Sequence, residues 1–148
     1  MKLEDICCSL ELAKKLKEIG IKQESLFSWF AETSVEVVRY YLRNTNEYYL
    51  LPNKDDFNCY SAFTVSELLN MLPDTIIMED KVAKMVIGKD NNTFRSWYIN
   101  FGWNIYIPLN DKETSEISDT SFSNTLAKFL LYFLGKNLLS VEEINERI

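Results

Sequence analysis

The sequence predicts an α+β fold, a single domain built mainly on antiparallel sheet packed against N-terminal, central and C-terminal helices. Three observations point there. Stretches with helical spacing and stretches rich in aromatic and β-branched residues are grouped along the chain rather than alternating, which argues against a parallel α/β sheet. The 148 residues suit one domain, and a chain of that size buries roughly 68–70% of its unfolded surface, so it folds without disulfide or metal. The apolar share of 47% and charged share of 26% are those of a globular protein, not of a disordered one.

The first helix is the clearest element. Ser9 suits an N-cap, and Leu12, Ala13, Leu16 and Ile19 recur on one face, with Lys14, Lys15, Lys17 and Glu18 on the other. Gly20 ends it, and Ile21 packs back. Ser25 to Ala31 is short and aromatic and reads as a strand. Val35 to Arg43 would fit a helix capped by Thr33 and Glu36, but its valines and tyrosines favour a strand. The turn residues Asn44-Thr45-Asn46 then lead into Tyr48-Tyr49-Leu50-Leu51, giving a hairpin.

Thr64-Val65-Ser66-Glu67 has capping-box spacing, Val65, Leu68, Leu69 and Leu72 form an apolar face, and Pro73 stops the helix. A strand meander follows: Lys81 to Lys89, Phe94 to Phe101 and Trp103 to Ile107, with a turn at Asp90-Asn91-Asn92 and a bend at Gly102. After an acidic loop, Asp111 to Asp119, comes the longest helix, Thr120 to Leu134. Its face carries Phe122, Leu126, Phe129, Leu130 and Phe133, and Gly135 is its expected stop. Ser140 and Glu143 cap a short helical tail within 136–148.

Two of these segments carry a resemblance. Ser9 to Gly20 (SLELAKKLKEIG) with Lys22 to Trp29, and Ala62 to Pro73 (AFTVSELLNMLP), resemble a family of small uncharacterised proteins encoded in bacterial prophages and other mobile elements. The likeness extends to the C-terminal helix ending near Gly135-Lys136-Asn137. It implies an accessory protein of a mobile element, and it transfers no catalytic residue.

Composition removes whole classes of function. The chain has no histidine, hence neither the commonest general base nor the commonest metal ligand. It has no glycine-rich phosphate loop. A net charge of −6 repels phosphate backbones, so duplex nucleic acid is not an expected partner. No apolar stretch approaches a membrane span, and no membrane partner is expected. Cys7, Cys8 and Cys59 form no disulfide framework and suit a reducing, cytoplasmic setting.

The residues left for chemistry are few. Cys7 and Cys8 precede a helix, where a thiol can become acidic, but without an imidazole they read better as small buried hydrophobes. Asp55-Asp56, Glu79-Asp80 and the acids at 111, 113, 116 and 119 lack calcium-loop spacing and read as solvated loops or helix-start charges. No catalytic residue, metal ligand or cofactor is assigned. The best candidate surface is Arg95, Trp97, Tyr98, Phe101 and Trp103, in a strand segment apolar on both faces. Aromatic residues with arginine are the composition of protein-binding hot spots. Adjacent tyrosines at 40–41 and 48–49 set one ring on each face of a strand, as half-wet interfaces use them. The expected function is therefore a non-enzymatic cytoplasmic module that binds a protein partner or itself through an aromatic sheet surface. The alternatives are a single-stranded nucleic-acid or nucleotide-ligand binder, which would stack bases on these rings, and a carboxylate- or metal-dependent hydrolase.

Overall fold

The computed structural model describes residues 2–33, 38–48, 59–73, 75–78, 81–89, 97–101, 117, 119 and 121–148. It is an α+β fold whose described strands form two antiparallel sheets of three strands each.

Helix α1 spans Leu10–Glu18, with Ser9 in extended geometry as N-cap and Leu12, Ala13 and Leu16 buried. Gly20 adopts φ +96°, a conformation that only glycine enters without strain. The Gly20 N–H then bonds the Lys17 carbonyl and the Ile21 N–H bonds the Leu16 carbonyl, which closes the helix as a Schellman motif. Ile21 packs back into the core as expected. Ile19 does not share the buried face. The helix ends before it, and the reversal at Gly20 leaves Ile19 39% exposed.

Strands β1 (Phe27–Thr33), β2 (Val38–Asn44) and β3 (Cys59–Ser61) form the first sheet in the order β2-β1-β3. A hairpin pairs β2 with β1, in the register Phe30 opposite Tyr41, and Tyr48 of the expected second strand is helical. Local turn chemistry explains the difference. Thr45 opens a short helix α2 (Thr45–Tyr48), and its hydroxyl donates to the Ser25 carbonyl at 2.7 Å while its N–H bonds the Leu26 carbonyl, so the chain is tied to the start of β1. Residues 49–51 lie outside the described residues.

Helix α3 (Val65–Met71) starts in the expected capping box: the Thr64 hydroxyl accepts from the Glu67 N–H, and the Glu67 carboxylate accepts from the Thr64 N–H. That carboxylate also accepts from the Ser25 hydroxyl and the Leu26 N–H, tying α3 to the approach to β1. Leu72, before Pro73, is extended, the steric consequence of the proline ring.

Strands β4 (Thr75–Met78), β5 (Lys81–Lys89) and β6 (Trp97–Phe101) form the second sheet in that order. β4 was not expected from the sequence, although Thr75-Ile76-Ile77 is a β-branched run. The strand expected over 94–101 is described from Trp97 onward, and the one expected over 103–107 lies outside the described residues.

Helix α4 (Phe122–Gly135) buries Leu126, Ala127, Phe129, Leu130 and Phe133 and lies against α3, α1 and β6. Its left-handed stop comes two residues later than expected, at Asn137 rather than Gly135. Gly135 remains helical, and Asn137 takes the left-handed conformation at φ +55°. Asn137 and Leu138 N–H groups return to the Leu134 and Phe133 carbonyls, the same Schellman closure as in α1. Asparagine serves because its short polar side chain tolerates that region. Helix α5 (Val141–Asn145), capped by Ser140 and Glu143, is the expected tail, and its Ile144 is completely buried against the rest of the chain. The core is thus α1, α3, α4 and α5 around Phe63, with Trp29 and Tyr60 of the first sheet packed on it. Among the described residues no helix is long and apolar enough to cross a membrane.

Candidate interaction surface

Residues paired across an antiparallel sheet share a face. The register therefore divides the first sheet cleanly. Trp29, Ala31, Tyr40, Leu42 and Tyr60 occupy one face, while Phe30, Glu32, Arg39, Tyr41 and Arg43 occupy the other.

The first face is covered by α1. The Trp29 indole Nε1–H donates to the Cys8 carbonyl at 3.1 Å. The Tyr40 and Tyr60 rings meet across β1 with centroids 6.1 Å apart, and Ala31 opposite Tyr40 is too small to separate them. Lys14 Nζ sits 4.4 Å from the Tyr40 centroid and 5.4 Å from that of Tyr60, and Lys17 Nζ sits 4.9 Å from that of Tyr60. Lys17 also donates to the Cys59 carbonyl at 2.9 Å. Lys14 and Lys17 are therefore not simply a solvated side of α1. Their stems and charges close over tyrosine rings, a contact worth about 0.5–1 kcal/mol at an exposed site. Lys15 alone of the three keeps a helix-surface role, paired to Glu11 at 2.7 Å.

The second face is different. On its β2 part Arg39, Tyr41 and Arg43 are exposed, Tyr41 by 38%, whereas Ser28 and Ser61, on the same face toward β1 and β3, are buried. The Arg43 guanidinium lies 6.0 Å from the Tyr41 ring centroid, at the outer limit of a cation–π contact. Among the described residues neither Arg39 nor Arg43 has an ion pair. Glu32 stands opposite Arg39 in β1, Phe30 opposite Tyr41 and Ser28 opposite Arg43. In the order of the described strands β2 is terminal. Sequence reasoning separated Tyr40 from Tyr41 but missed the two arginines. The signal was present as Arg-x-Tyr-x-Arg at alternate positions of a strand.

Of the surface expected from sequence, Arg95 and Trp103 lie outside the described residues. Trp97, Tyr98 and Phe101 fall in β6, where Trp97 pairs with Lys89, Tyr98 with Gly88 and Phe101 with Met85. By strand alternation Trp97 and Phe101 occupy register positions of one parity and Tyr98 the other.

The described cysteines and carboxylates have structural surroundings. Cys7 and Cys8 are both buried, and their backbones stitch the N-terminus to Thr64 and Phe63. Burial, helped by the charges of Glu67 and Glu4, pushes the Cys7 thiol up to about 12. Burial pushes Cys8 up to about 12 as well, against the opposing pull of a hydrogen bond from the Phe63 backbone. Cys59 is raised by burial too, although the Ser28 hydroxyl and Lys17 oppose it. These are protonated thiols, the opposite of an activated nucleophile. Asp119 caps α4. Burial acts to raise its pKa, but the Ser121 N–H at 3.0 Å, the Lys128 ammonium at 2.9 Å and the Asn124 amide together hold it below the ordinary carboxylate range. Among the described residues no three His, Cys, Asp or Glu side chains converge as metal ligands. The acids at 55, 56, 79, 80, 111, 113 and 116 lie outside the described residues. A shallow cleft of about 640 Å³ opens where α1 and α4 end, lined by Ile19, Leu131, Leu134, Leu138, Val141 and Glu143.

Comparison of the chain with protein-family models, curated proteins and solved structures returns no match.

Proposed function

We propose that the chain is a non-enzymatic binding module, an accessory protein of a mobile element acting in the cytoplasm, that engages a protein partner through its aromatic sheet surface. The observation that carries this reading is the outward face of β2, where an exposed tyrosine stands between two exposed arginines that have no ion pair among the described residues. Tyrosine and arginine are the residues that dominate protein-binding hot spots. An arginine kept out of ion pairs retains its full set of directional donors for a partner. The aromatic strand segment with Arg95, Trp97, Tyr98, Phe101 and Trp103 is a second part of the surface on this reading. Protonated, buried thiols and a structurally employed Asp119 favour binding over catalysis.

The test is affinity capture of the tagged full chain from its native host, with and without nuclease, followed by mass spectrometry. A stoichiometric protein that resists nuclease and is lost with Tyr41→Ala and with Trp97→Ala supports the module. Recovery of the chain alone argues for self-association, which sizing detects. The nucleic-acid alternative draws on the proximity of Arg43 to the exposed Tyr41 ring, since base-stacking sites use the same residue types. Loss of the captured material on nuclease treatment would put that alternative first.

A further inference from the structure

The binding-module reading can be carried to the chemistry of the partner. β2 offers two separate determinants on one strand. As the terminal strand among the described strands, in the order β2-β1-β3, it can extend the sheet through its backbone. On its outward face, Arg39, Tyr41 and Arg43 follow at every second residue, about 7 Å apart, so the two guanidinium groups start about 14 Å apart with a ring between them.

We infer that β2 takes an extended acidic peptide segment of the partner as an added antiparallel strand, with carboxylates opposite Arg39 and Arg43 and an apolar side chain opposite Tyr41. Backbone pairing supplies affinity in this mode of recognition, and side chains at alternate positions supply specificity. Guanidinium groups without an ion pair match carboxylates in a two-pronged geometry. The exposed Tyr41 ring and the neighbouring Phe30 position give the midpoint an apolar seat.

Two rival occupants fit less well. A second copy of the chain, paired antiparallel about Tyr41, sets Arg39 of each copy opposite Arg43 of the other, and like charges directly opposed destabilise a sheet. A single-stranded nucleic acid needs a groove of cations along its phosphates. Here β2 offers two cations about 14 Å apart rather than a continuous row, and Glu32 stands opposite one of them, Arg39. Two discrete carboxylates four residues apart match the two arginines one to one, and Arg43, opposite Ser28, is the arginine set away from Glu32.

The inference rests on the binding-module reading, and one experiment separates the two. A fluorescein-labelled peptide, Thr-Glu-Thr-Ile-Thr-Glu-Thr, is titrated against the full chain by anisotropy. Saturable binding is expected, weakened by added salt and reduced about ten-fold or more by the double change R39E/R43E. The matching peptide with lysine in place of both glutamates should bind that double variant and not the parent chain. R39E sets a second carboxylate opposite Glu32, so R39E/R43E should melt slightly below the parent, and the charge-neutral R39Q/R43Q, whose melting curve should match the parent, must weaken binding of the acidic peptide as well. Equal peptide binding by parent and R39E/R43E overturns the inference, as does no saturable binding by the parent. Tighter binding of an oligothymidylate that displaces the peptide overturns it in favour of nucleic acid. A partner captured from the host equally by parent and R39E/R43E overturns the acidic-strand inference alone. If neither chain captures any partner, the binding-module reading falls with it.

Discussion

Tyr40 and Tyr41 are neighbours in the chain and have opposite fates. Tyr40 is half-buried beneath Lys14 and against Tyr60, on the face of the first sheet that α1 covers. Tyr41, one residue on, stands in solvent between two arginines. The covered face spends its aromatic and cationic groups on one another: Trp29 bonds the Cys8 carbonyl, and Lys14 and Lys17 close over rings. On the outward face Arg39 and Arg43 have no ion pair among the described residues. The lesson is that composition does not mark a binding surface. What marks it is whether the fold has already satisfied the groups concerned, and a one-residue step along a strand is enough to change the answer.

That contrast makes graded predictions. The largest effect belongs to the core on which the covered face rests. Phe129→Ala, at a buried position, should destabilise by about 3–5 kcal/mol, read from the urea midpoint at unchanged slope. A shift near zero would mean that α4 does not anchor the fold. Trp29→Ala on the covered face should cost about 3 kcal/mol, because packing is lost and the Cys8 carbonyl loses its indole donor. A Trp29→Phe change restores part of the packing and none of the hydrogen bond, so it should fall between.

The buried cysteines predict the alkaline behaviour of the same region. In the unfolded chain a thiol ionises near its ordinary value of 9.0, whereas Cys7 and Cys8 hold their protons up to about 12. Above pH 9 the unfolded state therefore binds fewer protons than the folded state, and stability falls as pH rises toward 12. Below pH 9 these groups contribute no slope. Urea midpoints measured across that window should decline less steeply for Cys8→Ala than for the parent. At pH 8, alkylation of Cys7 and Cys8 should proceed only as fast as the chain opens.

Smaller effects come next. Lys14→Ala removes a contact with two tyrosine rings and should cost about 0.5–1 kcal/mol, reduced by salt. On the outward face, Tyr41→Ala and Arg43→Gln should change stability by no more than about 0.5 kcal/mol while abolishing partner capture. A thermal melt run beside the capture assay reads both at once. A large loss of stability in either variant would make the outward face structural and erase its difference from the covered one.

Much of the helical part was legible in the residues. Two capping boxes, at Thr64–Glu67 and Ser140–Glu143, and the stops at Gly20 and Pro73 stand where their local chemistry puts them. Such signals act within one turn, so no distant residue can overrule them. Gly135 shows the limit of that logic. Glycine permits a left-handed stop but does not demand one, and Asn137 took the position. The sheets were less legible. β1 and β2 were recognisable as strands, yet β2 turned back onto β1, because the Thr45 hydrogen bonds to Ser25 and Leu26 close the sheet there. Of the expected surface, Trp97, Tyr98 and Phe101 lie in the described strand β6, and Arg95 and Trp103 lie outside the described residues.

The α+β class, the positions of the main helices and the absence of a histidine-based site were settled by pattern and composition, since periodicity, caps and residue inventory are properties of local chain. Pairing partners, the face that α1 covers and the burial that keeps Cys7 and Cys8 protonated came from packing between residues far apart in the chain. The same holds for the surface now proposed to bind. Arg39, Tyr41 and Arg43 share a face by strand alternation alone, but their exposure depends on α1 lying across the opposite side of the sheet, and no local rule contains that choice.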